Sequence, residues 1–337
     1  MKAGTALIAA GAALGLGAAV WDTRRRIARV ERRYSVEGRF VEARGVRLHV
    51  VSRGSGRPVV LVHGALTMLQ DFAASPVPDM LARDARVILV DRPGYGFSSR
   101  PRRMGTPDEQ ARVLREALHR MGVERPVLVG HSFGATVVLA YASLFPDEIA
   151  GIVFASGVAF PVPRADLAPM MLPALPGIGP ALYEAMLQPL YRLLVPAMVA
   201  LCFAPQRVPD AFRRAVPTEM MLRRDHMAAT AEDLMALVPA VAAMSPRYPR
   251  IDVPVAVIAG ERDQIAYPRF HGVPLAETLP DATLRIAPGV GHMVQHARPD
   301  LIVEAIEEIW ERARPGASLS GSAAAERLHR APDPSHP

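Results

Sequence analysis

The 337-residue sequence contains a single cysteine, Cys202. One cysteine cannot form an intramolecular disulfide, and it excludes a metal site built from several thiolates. Cys202 lies in the apolar run 199–203, so we expect it to be a small buried side chain and not a nucleophile. Charged residues make up only 21% of the chain and hydrophobic residues 50%, a balance that excludes a chain disordered throughout.

Outside its N-terminus the sequence also lacks an excess of positive charge. The formal net charge is +6, but residues 1–33 contribute +5 of it and the remaining 304 residues only +1. A near-neutral body gives no electrostatic footprint for a nucleic-acid groove, so no nucleic-acid partner is expected. The N-terminal basic residues are Lys2, Arg24, Arg25, Arg26, Arg29, Arg32 and Arg33.

An uncharged run of 19 residues, 3–21, precedes the arginine cluster. As a helix it would span roughly 28 Å, just enough for a bilayer core. Trp21 suits the membrane interface, and the positive-inside rule keeps the arginines and the following domain in the cytoplasm. Residues 1–33 are therefore expected to form a membrane anchor. The alternatives are a signal peptide cleaved near Ala18 and Ala19, followed by export, and a peripheral or disordered extension.

Short apolar runs with the character of strands buried on both faces recur along the chain. Two further short strands are expected around the turn at Arg44 and Gly45. Helical segments at 108–121, 135–144 and 297–314 alternate with the runs, which predicts an α/β class with a mostly parallel sheet flanked by helices. The apolar runs are 59–62, 87–90, 127–129, 152–154, 253–259 and 283–286.

The alternation of strand and helix is interrupted once. From about residue 161 to 250 the sequence has only short helical stretches rich in Met, Leu, Ala and Pro, which predicts an inserted helical cap. Residues 315–337 are poor in large apolar side chains, and we expect a disordered tail there. The main domain is accordingly expected over residues 38–313.

A candidate nucleophile follows the third apolar run. Residues 130–134 read Gly-His-Ser-Phe-Gly, a G-x-S-x-G motif between a strand and a helix. Such a sharp turn strains the backbone of Ser132 and projects its Oγ from the sheet. Gly130 and Gly134 let the strand and the helix approach each other without a Cβ clash. A serine hydroxyl is a poor nucleophile, so a base is required.

His292 is the favoured base, because it follows the last apolar run and so lies at the carboxyl edge of the sheet. His296 is the alternative. Asp263, which directly follows the fifth run, is the favoured acid to orient the histidine, with Glu261 as the alternative. The order Ser132, Asp263, His292 along the chain is that of one known hydrolase architecture.

An acyl-transfer site also needs donors for the oxyanion. The first apolar run leads into His63, Gly64 and Ala65, and the backbone N–H groups of Ala65 and Phe133 are the expected pair of donors. His63 and His131 are expected to order loops. No proposed step requires a metal or a cofactor.

Taken together, these motifs resemble the α/β-hydrolase superfamily, in its capped serine-hydrolase branch, over roughly residues 38–313. A further element of the resemblance is the D-x-x-G-x-G-x-S turn at residues 91–98, whose usual role is structural. The resemblance implies an α/β-hydrolase fold with a helical cap inserted before the acid. The motifs that carry it are His63-Gly64, Asp91 to Ser98, Gly130 to Gly134, Gly260 to Asp263, and Gly291-His292.

The superfamily includes esterases, lipases, carbon–carbon bond hydrolases, haloperoxidases, epoxide hydrolases and haloalkane dehalogenases. The last two use an aspartate nucleophile, and Ser132 stands at that position here. The resemblance thus implies an acyl-enzyme on Ser132, and the Met- and Leu-rich cap indicates an ester of a lipophilic small molecule.

Three alternatives to an esterase stay open. A carbon–carbon bond hydrolase would need a cationic clamp for a substrate carboxylate, for which the cap offers Arg192, Arg213 and Arg214. A cofactor-free haloperoxidase-like activity uses a similar site. A member without catalysis would bind a ligand through the cap.

Overall fold

The computed structural model describes residues 2–33, 36–101 and 104–313. Its centre is one eight-stranded sheet. The strands are β1 (Arg39–Ala43), β2 (Val46–Arg53), β3 (Arg57–Val62), β4 (Ala85–Val90), β5 (Val127–His131), β6 (Gly151–Ala155), β7 (Val255–Gly260) and β8 (Ala282–Ala287).

The strands lie in the order β1-β2-β4-β3-β5-β6-β7-β8. From β4 to β8 every neighbouring pair is parallel, while β2 is antiparallel to both β1 and β4. The mostly parallel sheet predicted from the apolar runs is therefore confirmed. The parallel arrangement brings the carboxyl ends of β3, β5, β7 and β8 to one edge, where a ligand site is expected.

Helices cover both faces of the sheet. The helices are α1 (Lys2–Arg33), α2 (Gln70–Ala73), α3 (Val77–Leu81), α4 (Pro107–Arg120), α5 (Phe133–Leu144), α6 (Ala168–Met171), α7 (Gly179–Leu182), α8 (Gln188–Phe203), α9 (Asp210–Ala215), α10 (Thr218–Met221), α11 (Arg224–Met244), α12 (Gly272–Thr278), α13 (Val294–Ala297) and α14 (Pro299–Arg312).

Alternate residues of each central strand enter opposite cores. In β3, Val60 faces the core formed with α4, α5 and α12, whereas Leu61 faces the core formed with α2, α3 and α14. Both side chains are buried, which is why these strands read as continuous apolar runs.

Two helices begin elsewhere than the sequence predicts. α5 begins at Phe133 and not at residue 135, so it starts immediately after Ser132. The predicted helix over 297–314 is divided, because Arg298, with φ −140° and ψ +62°, has a non-helical backbone between α13 and α14. Pro299 is the first residue of α14, a position where the backbone N–H has no intrahelical acceptor, so proline is well tolerated there.

The chain between β6 and β7 is helical. We call residues 165–250 the insertion; within it the structure describes helices α6 to α11 and no strand. Residues 224–250, which include α11, are long and apolar enough to cross a membrane by length and composition. Half of the apolar 18-residue window in this stretch is buried inside the protein, as in the core helix of many folds. The predicted tail, 315–337, lies outside the described residues.

The second half of α1 packs against the insertion, which the sequence did not indicate. Ile27 is buried in a cluster with side chains of α8, α9 and α10. Asp22 accepts a hydrogen bond from Arg192 on α8 at 2.6 Å, and Glu31 pairs with Arg223 at 3.0 Å. Residues 22–33 are thus part of the folded body.

A buried ion pair ties the insertion to the sheet. Arg92, just after β4, donates from Nη1 to Oδ2 of Asp233 on α11 at 2.6 Å, and the Asp233 side chain is fully buried. Asp233 also accepts from the Tyr95 hydroxyl at 2.9 Å and from Arg100 at 2.8 Å. Its neighbour Glu232 also pairs with Arg100 at 3.0 Å, but is 36% exposed.

We predict that Asp233→Asn lowers the free energy of unfolding by about 3–5 kcal/mol, because it leaves the buried charge of Arg92 without a counterion. Glu232→Gln is the matched control, and its exposed pair should contribute about 1 kcal/mol or less. Urea unfolding followed by circular dichroism measures both variants. Equal losses in the two would contradict this account of the pair.

Candidate active site

Ser132 occupies the single residue between β5 and α5. Its backbone has φ +54° and ψ −122°, a conformation that a residue with a Cβ adopts only under strain. Its N–H donates to the carbonyl of Ala155 at 3.0 Å, which holds the turn against β6. The serine of the G-x-S-x-G motif therefore lies on the strained turn that the motif predicts.

Three glycines make room for this turn. A Cβ on Gly64 would lie 3.0 Å from the Cβ of Ser132, closer than side chains normally pack. A Cβ on Gly130 would meet the backbone of Ala135, and one on Gly134 the backbone carbonyls at the end of β3. Substitution of any of the three would push β3, β5 and α5 apart at the serine.

His292 and Asp263 meet at the carboxyl edge of the sheet. Nδ1 of His292 is 2.9 Å from Oδ2 of Asp263, and both side chains are buried. Oδ1 of Asp263 accepts the backbone N–H groups of Ile265 and Ala266 at 2.8 and 2.9 Å. Burial alone would raise the pKa of Asp263, but His292 and these two donors lower it below its ordinary value. An ionised carboxylate only accepts, so in the neutral imidazole Nδ1 carries the proton and Nε2 is the acceptor.

The alternatives for base and acid lie elsewhere. Glu261 accepts the N–H of Gly289 at 2.8 Å on the surface. His296, on α13, bonds through Nε2 to Oδ1 of Asp71 at 2.8 Å. The structure therefore joins Asp263 to His292 and not Glu261 or His296 to either.

His63 orders the loop after β3. Its Nδ1 donates to the carbonyl of Gly64 at 2.8 Å, and its Nε2 accepts the N–H of Arg92 at 3.0 Å. Burial and the charge of Arg92 hold the pKa of His63 well below its ordinary value, so the ring is neutral. This bonding fixes the loop and leaves no ring nitrogen for proton transfer.

His131 braces the loop that carries His292. Its Nε2 lies 3.0 Å from the carbonyl oxygen of His292. Burial, followed by the nearby His292, lowers the pKa of His131 to about 4, so this ring is also neutral near pH 7. A neutral ring that donates from Nε2 has its second nitrogen, Nδ1, without a hydrogen bond within the described chain, although Oδ2 of Asp71 lies 3.9 Å away.

Two backbone N–H groups beside Ser132 are available to a ligand. In the part of the chain that the structure describes, no acceptor is found for the N–H of Ala65 or of Phe133. Phe133 is the first residue of α5, where helix N–H groups lack intrahelical acceptors. Such donors can stabilise negative charge that develops on an oxygen.

A pocket of about 770 Å³, part of it open to solvent, lies over Ser132 and His292. Gly64, Ala65 and His131 also contribute to its wall. Among the described residues that line it there is no arginine or lysine. Eleven lining residues come from the insertion: Met170, Tyr191, Val195, Met198, Val199, Cys202, Phe203, Phe212, Met221, Leu222 and Met227. No group of three or more His, Cys, Asp and Glu side chains in the described ranges is placed to hold a metal ion.

The family model described as alpha/beta hydrolase fold matches residues 57–299, well over half of the chain. The chain belongs to this family. The match begins in β3, before the loop of His63, and ends in α14, after His292. It therefore includes the whole site and the insertion.

Curated relatives of this α/β hydrolase have several activities in their names. Haloalkane dehalogenase 2 of Mycobacterium bovis is 28% identical over 280 residues, which cover 82% of this chain and 95% of that protein. A 2-hydroxy-6-oxononadienedioate/2-hydroxy-6-oxononatrienedioate hydrolase of Klebsiella pneumoniae is 25% identical over 276 residues, which cover 80% and 93%. The activity is therefore hydrolytic, and the relatives do not fix the bond that is cleaved.

Solved structures share the fold. An esterase of Thermogutta terrifontis superposes with a TM-score of 0.62 at 23% identity, covering 82% of this chain and 97% of the other. The enol-lactonase of Burkholderia xenovorans LB400 gives 0.65 at 21% identity, covering 81% and 99%. At these identities the likeness shows the α/β-hydrolase fold alone.

The hydrolase pocket contains a buried carboxylate that sequence reasoning missed. Asp71, on α2, lines the pocket and accepts from His296 and, at 3.2 and 3.3 Å, from Gln295. Burial opposes its ionisation, but His296 lowers the pKa of Asp71 below its ordinary value. Asp71 belongs to none of the recognised motifs, and only the folding of α2 against α13 brings it here.

Cys202 lies in the pocket wall, on the inner face of α8. Burial raises the pKa of its thiol to about 12. The thiol is therefore neutral at physiological pH, in agreement with the expectation that it is not a nucleophile, although Cys202 is partly buried and not fully buried as the sequence predicts.

We predict that native Cys202 resists iodoacetamide at pH 8, because a thiol of pKa about 12 is thiolate in only about one molecule in ten thousand. Mass spectrometry of the native protein should show alkylation at least about 100-fold slower than in the same protein unfolded in urea. A native rate within about tenfold of the unfolded rate would mean that the thiol is neither buried nor neutral.

Proposed function

We propose that this α/β hydrolase cleaves an ester of a lipophilic small molecule through an acyl-enzyme on Ser132. The observation that carries the proposal is the hydrogen bond between Asp263 and His292 at the edge of the pocket that also contains Ser132. An ionised acid, an oriented imidazole and a serine on a strained turn are the parts that nucleophilic acyl transfer requires.

In the proposed mechanism, Nε2 of His292 takes the hydroxyl proton of Ser132 as Oγ attacks the ester carbonyl. The N–H groups of Ala65 and Phe133 stabilise the tetrahedral oxyanion. His292 then protonates the departing alcohol and activates water for deacylation, while Asp263 stabilises the transient imidazolium.

The pocket wall supports an apolar acyl group. Eleven of its twenty lining residues come from the insertion, nine of them Leu, Met, Val or Phe, and they act as a cap over Ser132. The three cap arginines that could have bound a substrate carboxylate do not line the pocket. Arg192 pairs with Asp22, and Arg213 donates a hydrogen bond to the carbonyl of Val208 at 3.4 Å. Arg214 is exposed.

A carbon–carbon bond hydrolase is the second candidate, because a curated relative has that activity in its name. A pocket wall without arginine or lysine favours the neutral ester over a dienoic acid. Ser132, at the position where an aspartate nucleophile would stand, disfavours dehalogenation.

We also propose that residues 3–21 anchor the enzyme in a membrane and leave the hydrolase domain in the cytoplasm. Support comes from the uncharged run, the exposed Trp21 at its end and the arginines that follow. α1 continues without a break through Ala18 and Ala19 into residues packed on the insertion, which favours an uncleaved segment.

We predict that p-nitrophenyl octanoate is hydrolysed with kcat/KM at least about tenfold above that of the acetate, because each buried methylene contributes roughly 0.8 kcal/mol. A series of acyl lengths, with Ser132→Ala as the blank, measures this preference. The variant should lose both hydrolysis and labelling by a fluorophosphonate.

Preference for acetate over octanoate would contradict the lipophilic substrate while leaving the serine hydrolase intact. Labelling that does not depend on Ser132, or no labelling at all, would contradict the hydrolase mechanism and favour a member that only binds a ligand. Cleavage of a dienoic acid in preference to every ester would establish the second candidate.

A further inference from the structure

Helix α8 presents apolar side chains both to the pocket and to solvent. Its inner face lines the pocket with Tyr191, Val195 and Val199. Its outer face is exposed to solvent although it bears large apolar residues at helical spacing. These are Leu190, Leu193, Leu194 and Leu201, with 48%, 71%, 43% and 52% exposure. We call these four residues the α8 outer face.

The α8 outer face lies beside the end of the uncharged run of α1. Arg192, which directly precedes Leu193, donates to Asp22 at 2.6 Å. Asp22 is the first charged residue after the run, and Trp21 before it is 62% exposed. Leu14, two turns earlier in α1, is 77% exposed. The two exposed apolar surfaces thus belong to neighbouring helices, which are joined at Asp22 and Arg192.

Arginine side chains lie around Trp21 on α1. The guanidinium of Arg25 lies 5.1 Å from the ring centroid of Trp21, and Arg29 and Arg32 are exposed in the following turns. Exposed Trp and Arg side by side, next to leucine, suit the boundary between acyl chains and anionic headgroups. A second copy of the chain could cover the leucines, but it would bring its own arginines, and not negative charge, to Arg25, Arg29 and Arg32.

We propose that the α8 outer face lies in the headgroup–acyl boundary of a phospholipid bilayer, alongside α1. The inference rests on the anchor and the lipophilic substrate proposed above. Since the opposite face of α8 lines the pocket, one helix separates Ser132 from the lipid phase. Such a placement shortens the path of a membrane-dissolved ester to the serine.

Leu193→Trp in a Trp21→Phe background tests the placement, with Met80→Trp in the same background as the control. Met80, on α3, is 45% exposed on the surface that α3 forms with α14. The full chain is reconstituted with vesicles of phosphatidylcholine and phosphatidylglycerol, with and without bromine on the acyl chains. Brominated lipid should quench the introduced indole at Leu193 at least about twofold more than the one at Met80.

Equal quenching at the two positions would overturn the proposal. Leu201→Trp provides a second reporter, should Leu193→Trp fail to fold by circular dichroism.

Quenching of Trp21 in the wild-type chain reports the anchor separately, and its absence would overturn the anchor and the α8 placement together. Hydrolysis of a soluble short-chain ester by the same variants distinguishes a misplaced α8 from a failed hydrolase mechanism. A dimer by light scattering, with unquenched indoles at both α8 positions, would assign the face to a second copy.

Discussion

The buried guanidinium of Arg92 joins three parts of the molecule. Its Nε and Nη2 donate to the carbonyls of His63 and Gly64 at 2.9 and 3.0 Å, and its Nη1 donates to Asp233 in the insertion at 2.6 Å. The loop that presents the N–H of Ala65 is thereby fixed to the helix that carries Asp233. A charge buried this deeply is tolerated because each of its nitrogens has an acceptor. Arg92 thus links the serine's neighbouring loop to the insertion that forms much of the pocket wall, together with Tyr95 and Arg100, which also bond Asp233.

The site follows from that constraint and from the parallel sheet. Ser132 directly follows β5, Asp263 lies in the loop after β7, and His292 lies in the loop after β8, so all three are at the same edge of the sheet. Neutral His63 and His131 order the two loops beside the serine, and Asp263 orients His292 in the pocket wall. In the proposed hydrolase, His292 is the base for Ser132, and the site is enclosed by a largely apolar wall.

Most of the fold and the central site could be predicted from the sequence, because both are local. Each apolar run became a strand, and Ser132, Asp263 and His292 each lie in the turn or loop that follows one. Contacts between distant segments could not be predicted. Asp71 on α2 is held at the pocket by a hydrogen bond with His296 on the distant helix α13. Residues 22–33 pack on the insertion through pairs such as Asp22 with Arg192. Such pairs have no signature in spacing, since either partner alone reads as an ordinary surface charge.

The central claim is that Asp263 orients His292 for proton transfer from Ser132. The most direct test compares ester hydrolysis by Asp263→Asn with that by Glu261→Gln. The Glu261 carboxylate, two residues away, accepts the surface N–H of Gly289 and lies 3.9 Å from Arg262. Asp263→Asn should lower kcat by about 10⁴, since an amide favours the wrong tautomer of the histidine, while Glu261→Gln should leave kcat within about twofold. Equal activity of the two variants would contradict the account.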